Sequence, residues 1–313
     1  MARILIFHKD ADNYKKIFHE RNNSLDIIST SDENIFRNTL PSSEIVVAMN
    51  FPVDALTTAS HLRWLQIISS GVEFLVPVKA QIKHLKVTNG RGIHSQPIAD
   101  YVMSAMTMLA FDFPSFMQQQ NTRTWIRRSI VPLASRTVGI IGLGMIGQEI
   151  AKRAYYSDMN VIGLTRSSTS IDFVKNIYHV NQIDFFLKEL DFLVIATPAT
   201  PENYNLIDAH ELACLKPSAF LINIARGSLV NEPALIAALR DKKIAGACLD
   251  VFAYEPLPIE SLLWDLSNVI ITPHIAGMRV DYPEKFTDLF FENLRRYDSG
   301  EDLINTVDFQ RGY

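Results

Sequence analysis

The sequence predicts an α/β protein built on two doubly wound parallel sheets. Short apolar runs alternate with amphipathic stretches along most of the chain, and the alternation occurs in two series. The second series opens, in mid-chain, on a strand that runs into a glycine-rich loop and a helix. At about 150 residues per domain, 313 residues give room for two cores and too few for a repeat array.

The first series holds five four-residue runs: Ile4–Phe7, Leu25–Ile28, Ile45–Ala48, Leu65–Ile68 and Leu85–Thr88. Each is bounded by polar or turn residues, as strands are. Between them, Tyr14–Arg21 and Val53–His61 carry helical patterns. Strands alternating with helices imply a parallel sheet covered on both faces.

From Pro97 to about Asn121 the texture changes. Ile98–Ala110 is apolar nearly all round, which predicts a helix buried between layers or between subunits. Gln118–Asn121 then reads as its polar, exposed continuation.

The second series gives strands at Thr137–Ile141, Asn160–Leu164, Phe192–Ile195, Ala219–Ile222, Ala247–Leu249 and Val269–Ile271. Helices fill the gaps, including Glu232–Asp241, where Pro233 stands near the start and is tolerated. A last amphipathic helix is predicted over Glu284–Asp298.

Thr137–Ala151 reads strand, Gly-x-Gly-x-x-Gly, helix. Gly142 permits the tight turn, Gly144 lets a pyrophosphate approach the backbone, and Gly147 lets the helix pack closely. The free N–H groups and positive dipole end of the helix then hold phosphate. This is a Rossmann dinucleotide site, with Met145 and Ile146 in its contact set and Thr197, Pro198 and Ala225 at later strand ends. An NAD site carries an acid about 20 residues on, for the adenosine ribose. Here Thr165 stands in that place, followed by Arg166 and Ser167. Without the carboxylate a 2′-phosphate is not repelled, and Arg166 offers it a forked donor with Ser167 beside it. NADP(H) is therefore the expected cofactor, with NAD(H) as a second possibility.

Three segments stand at later strand ends: Ile222–Gly227, Leu249–Pro256 and Ile271–Gly277. In a doubly wound sheet those ends form the ligand crevice, so Arg226, Glu255 and His274 are expected to converge there. Together with the glycine motif, Ala225-Arg226-Gly227, Asp250-Val251-Phe252…Glu255-Pro256 and Thr272-Pro273-His274 resemble, in order, the D-isomer-specific 2-hydroxyacid dehydrogenase family. The resemblance is strong over about Pro97–Gly277 and looser before it. Within the family the chain is most similar to the glyoxylate/hydroxypyruvate reductase A group, through Thr165-Arg166-Ser167 and the closing Arg311-Gly312-Tyr313.

Reducing a 2-keto acid needs a cation for the carboxylate and carbonyl, a proton donor for the developing alkoxide, and a hydride source. Arg226 supplies a forked donor and fixed charge. His274 supplies the proton, because an imidazole titrates near neutrality. Glu255 would orient the ring and stabilise its protonated form, as the carboxylate does in a Ser-His-Asp triad. The resemblance implies the same three catalytic roles. It also implies that Ser70 and Gly71 hold the substrate carboxylate through backbone N–H groups, that Arg226 and His274 contact substrate, and that Asp250 holds the nicotinamide carboxamide. Asp250 could equally cap the strand end.

Two departures bear on the choice of substrate rather than on the reaction. Met49 stands near a place that is often aromatic in the reductase group, and Ala110-Phe111-Asp112 where many relatives have arginine. Met49 and Phe51 are either pocket or core residues, while Trp125 and Trp264 read as packing residues and Tyr313 as packing or a frayed end. Cys214 and Cys248 lie in apolar settings and read as inert.

Composition narrows the alternatives. Hydrophobic residues make up 48% and charged residues 20%, too apolar for disorder. Thirty Lys+Arg against 34 Asp+Glu give a net charge of -4 with no like-charge block, so no nucleic-acid partner is expected. Two cysteines are too few for a disulfide framework, and the histidines besides His274 show no paired spacing on one helix face, so no metal is expected. The opening segment reads as a strand rather than a signal peptide, and no apolar stretch reaches a membrane span. The expected protein is cytoplasmic, acts on a small 2-keto or 2-hydroxy acid and forms a homodimer. A cofactor-sensing, corepressor-like binding protein and a dehydrogenase of another acid such as phosphoglycerate are the alternatives on this fold. A methyltransferase would leave Glu255 and His274 unexplained.

The Thr272-Pro273-His274 segment ends the cofactor unit near residue 280, so the last thirty or so residues return to the N-terminal unit. The expected layout is a Rossmann domain over 97–281 inserted in a flavodoxin-like substrate-binding (lid) domain of 1–96 plus 282–313, with the active site in the cleft. With anionic ligands and an acidic chain, affinity has to come from local donors such as Arg226 and Arg166.

Overall fold

The structure, a computed structural model, describes residues 2–166 and 170–309. Ser167 and Tyr313 lie outside them. The chain divides into two compact units, Met1–Ile93 with Arg279–Tyr313, and His94–Met278.

The first unit holds β1 (Arg3–Phe7), β2 (Asp26–Thr30), β3 (Ile45–Ala48), β4 (Trp64–Ile67) and β5 (Lys86–Thr88). They form one parallel sheet in the order β2-β1-β3-β4-β5, the flavodoxin-like order. Side chains alternate between the faces, as the strand period requires. Leu5, Val46, Leu65 and Ile67 enter one core, and Ile4, Ile6, Ile45, Val47 and Trp64 the other. The helix Tyr282–Ser299 belongs to this second core through Phe286, Phe290 and Leu294. Phe290 stacks between Phe18 at 4.5 Å and Trp64 at 5.2 Å, which fixes the C-terminal helix on the first sheet.

The second unit holds β6 (Thr137–Ile141), β7 (Asn160–Thr165), β8 (Asn176–His179), β9 (Phe192–Ile195), β10 (Phe220–Asn223), β11 (Gly246–Leu249) and β12 (Val269–Ile271). All pair in parallel, in the order β12-β11-β10-β9-β6-β7-β8. This is the doubly wound Rossmann order extended by one strand, and the winding reverses between β6 and β9. Val138, Ile140, Phe192, Val194 and Ile222 face one core, and Ile141, Leu193, Ile195 and Leu221 the other. Both faces are therefore covered, which explains the nearly continuous apolar strands.

Three expectations need correction. Val53–His61 does not form an α-helix; a 3-10 turn covers Val53–Thr58. The helix expected through to Asn121 is broken. Ser95–Ala110 ends, Asp112 takes a left-handed φ of 57°, and a second helix runs Phe113–Asn121. Pro114 is the cause, since it lacks an N–H and crowds the carbonyl four residues back. Trp125 is not a packing residue within its unit, being 90% exposed, and Trp264 is half-exposed with its indole N–H on the Pro258 carbonyl. Phe51 is buried in the first unit's core, whereas Met49 is exposed. No helix among the described residues is long and apolar enough to cross a membrane.

Candidate active site

In a parallel sheet every strand delivers its following loop to the same edge. The loops after β6, β7, β9, β10, β11 and β12 carry nearly all the expected cofactor and catalytic residues to that edge.

The glycine loop after β6 shows three different constraints. Gly142 has φ +93°, and a Cβ there would stand 2.8 Å from the backbone of Ala196 and Thr197. A Cβ on Gly147 would lie 2.0 Å from the Gly142 carbonyl oxygen, so only glycine lets the first turn of the helix Met145–Tyr156 sit on the loop. A Cβ on Gly144 would meet nothing within 4 Å. That glycine leaves open space at a helix N-terminus that no side chain caps. The residues present thus fit a dinucleotide diphosphate, held by the first N–H groups of the helix. Met145 is exposed and Ile146 half-buried. Thr197 packs its backbone under Gly142, and the Pro198 carbonyl accepts from Asn203 Nδ2 at 2.9 Å.

Thr165 ends β7, and the exposed Arg166 follows it. Glu202 is held below the usual carboxylate range by the Thr200 hydroxyl, its own backbone N–H and the charge of Arg166, so Arg166 is near the loop after β9.

Arg226 leaves β10 through a turn fixed by a buried amide. Asn223 Oδ1 accepts from the Ala225 N–H at 3.1 Å, and its Nδ2 donates to the Arg226 carbonyl at 3.0 Å. A Cβ on Gly227 would fall 1.9–2.3 Å from the backbone of Phe252 and Ala253. The absence of a side chain therefore lets the Arg226 loop lie directly on the loop that carries Glu255.

Glu255 and His274 meet. Glu255 Oε2 stands 2.7 Å from His274 Nδ1, while Oε1 accepts from the Phe252 N–H at 3.0 Å. Partial burial pushes the Glu255 carboxyl up, but the His274 hydrogen bond, the Phe252 N–H and the charges of His274 and Arg226 outweigh it. The net result lies below the usual value. His274 takes a left-handed φ of 55° on the loop after β12.

That loop is held by Asp250, which is buried at the end of β11. Its Oδ1 accepts from Thr272 Oγ1 at 2.5 Å and the Ile275 N–H at 2.8 Å, and its Oδ2 from the Ala276 N–H at 2.9 Å. Thr272 spends its one proton on Asp250, so Tyr101, 2.6 Å away, is the donor to Thr272. Cys248, 3.2 Å from the Tyr101 oxygen, is then the donor to Tyr101. Burial pushes Tyr101 well up and the Cys248 thiol to about 11, so both keep their protons.

The second unit thus brings together Arg226, Glu255, His274 and Asp250. Ser70 and Gly71 follow β4 in the first unit, where Asn89 Nδ2 donates to the Ser70 carbonyl at 2.8 Å and Ser69 Oγ to the Gly71 carbonyl at 3.0 Å. Asn223, Tyr101, Thr272 and Gly227 were not singled out from the sequence as site residues. A polar Asn closing an apolar strand was the available signal for the first. Elsewhere, partial burial and the nearby charge of Asp184 raise the Cys214 thiol, against the opposing charge of Lys188.

Residues 103–276 match the family model described as D-isomer specific 2-hydroxyacid dehydrogenase, NAD binding domain. The chain belongs to the D-isomer specific 2-hydroxyacid dehydrogenase family. It is 33% identical over 257 residues to a glyoxylate reductase of Thermococcus gammatolerans, covering 79% of this chain and 77% of that protein. A D-isomer specific 2-hydroxyacid dehydrogenase of Xanthobacter autotrophicus, solved with NADPH and MES, superposes with a TM-score of 0.87 at 29% identity, over 100% of this chain and 99% of that one. The NADPH-dependent glyoxylate/hydroxypyruvate reductase of Sinorhizobium meliloti, solved with NADP and sulfate, gives 0.88 at 25% identity over 100% of both chains. This 2-hydroxyacid dehydrogenase is an oxidoreductase with a nicotinamide cofactor.

Proposed function

We propose that this dehydrogenase works as an NADPH-preferring reductase of small 2-keto acids, of the glyoxylate and hydroxypyruvate size, giving the D-hydroxy acid where the product is chiral. The observation that carries the reading is the Glu255–His274 hydrogen bond beside Arg226. With Nδ1 engaged by Glu255, His274 has Nε2 to give a proton to the substrate oxygen as it becomes an alkoxide. The Arg226 guanidinium binds the carboxylate and carbonyl and stabilises the negative charge that develops there. Glu255 keeps the imidazole oriented and compensates its charge. A reduced nicotinamide, when bound, supplies the hydride.

Gly142, Gly144, Met145, Ile146 and Gly147 would hold the diphosphate, and Thr197, Pro198 and Ala225 would line the adjoining loops. Arg166 and Ser167 would take the 2′-phosphate, a preference supported by Thr165 where an NAD site has an acid. Asp250 would add a contact to the nicotinamide carboxamide besides organising the His274 loop. Ser70 and Gly71 are the backbone donors for the substrate carboxylate in this reading, and a cytoplasmic homodimer completes it. The exposed Trp125, Ile126, Ile130 and Val131, four large apolar side chains within one seven-residue segment, support the dimer, since an association surface would cover them.

The deciding experiment follows reduced-nicotinamide absorbance with NADPH and NADH, each against glyoxylate, hydroxypyruvate, pyruvate and bulkier keto acids. Turnover of the two small acids with NADPH favoured is the expected result. No turnover of any keto acid, or a clear NADH preference, would overturn the corresponding part.

A further inference from the structure

Away from the active site, three side chains of different chemistry point their donor atoms at one another. Asp184 lies on the helix Ile183–Lys188, and His210 and Cys214 on the helix Ala209–Cys214. His210 and Cys214 are four residues apart and so share one helix face. Asp184 reaches them from the neighbouring crossover. A carboxylate oxygen, the imidazole Nε2 and the thiol Sγ all lie within 4.8 Å of one another.

From these residues we infer a binding site for a zinc-like divalent cation, formed by Asp184, His210 and Cys214. Ligands at 2.0–2.3 Å around a tetrahedral zinc stand about 3.4–3.6 Å from one another. His210 Nε2 is 3.2 Å from both Asp184 oxygens and 3.9 Å from Cys214 Sγ, which brackets that spacing. All three ligand atoms lie within 4.8 Å of one another, so the side chains have only to draw together to reach that spacing.

A Cys-His-Asp nucleophile is the competing reading of the same residues, and the geometry disfavours it. Such a triad needs the two ring nitrogens for two different partners, one facing the thiol and the other the carboxylate. Here the same nitrogen, Nε2, faces both. Three lone-pair donors gathered within 4.8 Å of one another suit a shared cation instead. A thiolate, an imidazole and a carboxylate together select Zn2+, Co2+ or Cd2+ over Mg2+ or Ca2+, which take oxygen ligands. Three protein ligands leave a fourth position for water. The bound cation would clip the two crossover helices that flank β9, stabilising the second unit by binding only its folded form.

The test uses the full-length, metal-free chain and Zn2+ in a non-chelating buffer, followed by calorimetry. One equivalent is expected, with affinity lowered about tenfold or more in His210→Gln and in Cys214→Ser, and lowered in Asp184→Asn. Added Co2+ should give a thiolate-to-cobalt charge-transfer band that Cys214→Ser abolishes and Cys248→Ser retains. Zn2+ should raise the melting temperature of the wild type and not of Cys214→Ser. Circular dichroism in metal-free buffer checks that each variant is folded. Zn2+ affinity unchanged in Cys214→Ser, or no cobalt–thiolate band from the wild type, would overturn the site. Neither outcome touches the keto-acid reading, which uses none of the three residues.

Discussion

Glu255 Oε2 and His274 Nδ1 face each other at 2.7 Å, each on a loop that a different neighbour holds in place. Phe252 anchors the carboxylate, and Asp250 anchors the loop of the imidazole. The imidazole is therefore oriented before any substrate arrives. Replacing His274 with Ala should lower kcat by about 10²–10⁴-fold while leaving NADPH binding, read by fluorescence titration, largely intact. Near-normal turnover would remove His274 from the reaction.

The same pair has a pH signature. Glu255 titrates below its ordinary value in the folded protein, so its stabilising contribution is fully present above the unfolded glutamate pKa of about 4.3. It fades as pH falls through the lower folded value. Urea unfolding of wild type and Glu255→Gln should show a stability gap that is constant above that range and closes in acid. A gap independent of pH would mean that the carboxylate is not the source.

Tyr101 acts on His274 only through Thr272 and Asp250. Tyr101→Phe removes the hydrogen bond to Thr272, worth about 0.5–1.5 kcal/mol, and the weaker one from the Cys248 thiol, and leaves Thr272 without that donor. The expected result is a modest stability loss and a lower kcat with KM for NADPH unchanged. If kcat holds while stability drops, the residue has only a structural role.

Gly227→Ala puts a methyl group into the Phe252–Ala253 backbone. Overpacking of this kind costs about 1–3 kcal/mol, and here it also displaces Arg226 from the Glu255 loop. Thermal melting should register the first effect and a rise in KM for the keto acid the second. A fully active, fully stable variant would show that the two loops do not need to touch.

Thr165→Asp installs the acid that an NAD site carries at the end of β7. Repulsion of the 2′-phosphate should lower kcat/KM for NADPH by about tenfold or more, at 1.4 kcal/mol per decade, and move the preference toward NADH. An unchanged NADPH preference would place the selectivity elsewhere.

Most strands were legible because both faces of each sheet are covered, which forces the compact apolar runs Ile45–Ala48 and Phe192–Ile195. β8 was not. Asn176–His179 is an edge strand with one neighbour and no fully buried residue, so burial wrote no apolar run there. The break at Asp112 was announced by Pro114, but the apolar continuity on either side masked it. Arg226, Glu255 and His274 could be picked out because their motifs follow one another, in order, at the strand ends after the glycine loop. Tyr101 and Thr272 could not, because their importance lies in partners distant in sequence, and Asn223 was passed over although its partners, Ala225 and Arg226, are local.

The contact between Gly227 and Phe252 also limits how this enzyme can change. With no room for a single methyl between the two backbones, the loop that carries Arg226 and the loop that carries Glu255 are packed backbone against backbone. Drift in substrate choice then has little freedom at the reacting end of the molecule. It falls to the side chains that meet the rest of the substrate, so descendants of this chain could exchange one keto acid for another while the reaction itself stayed fixed.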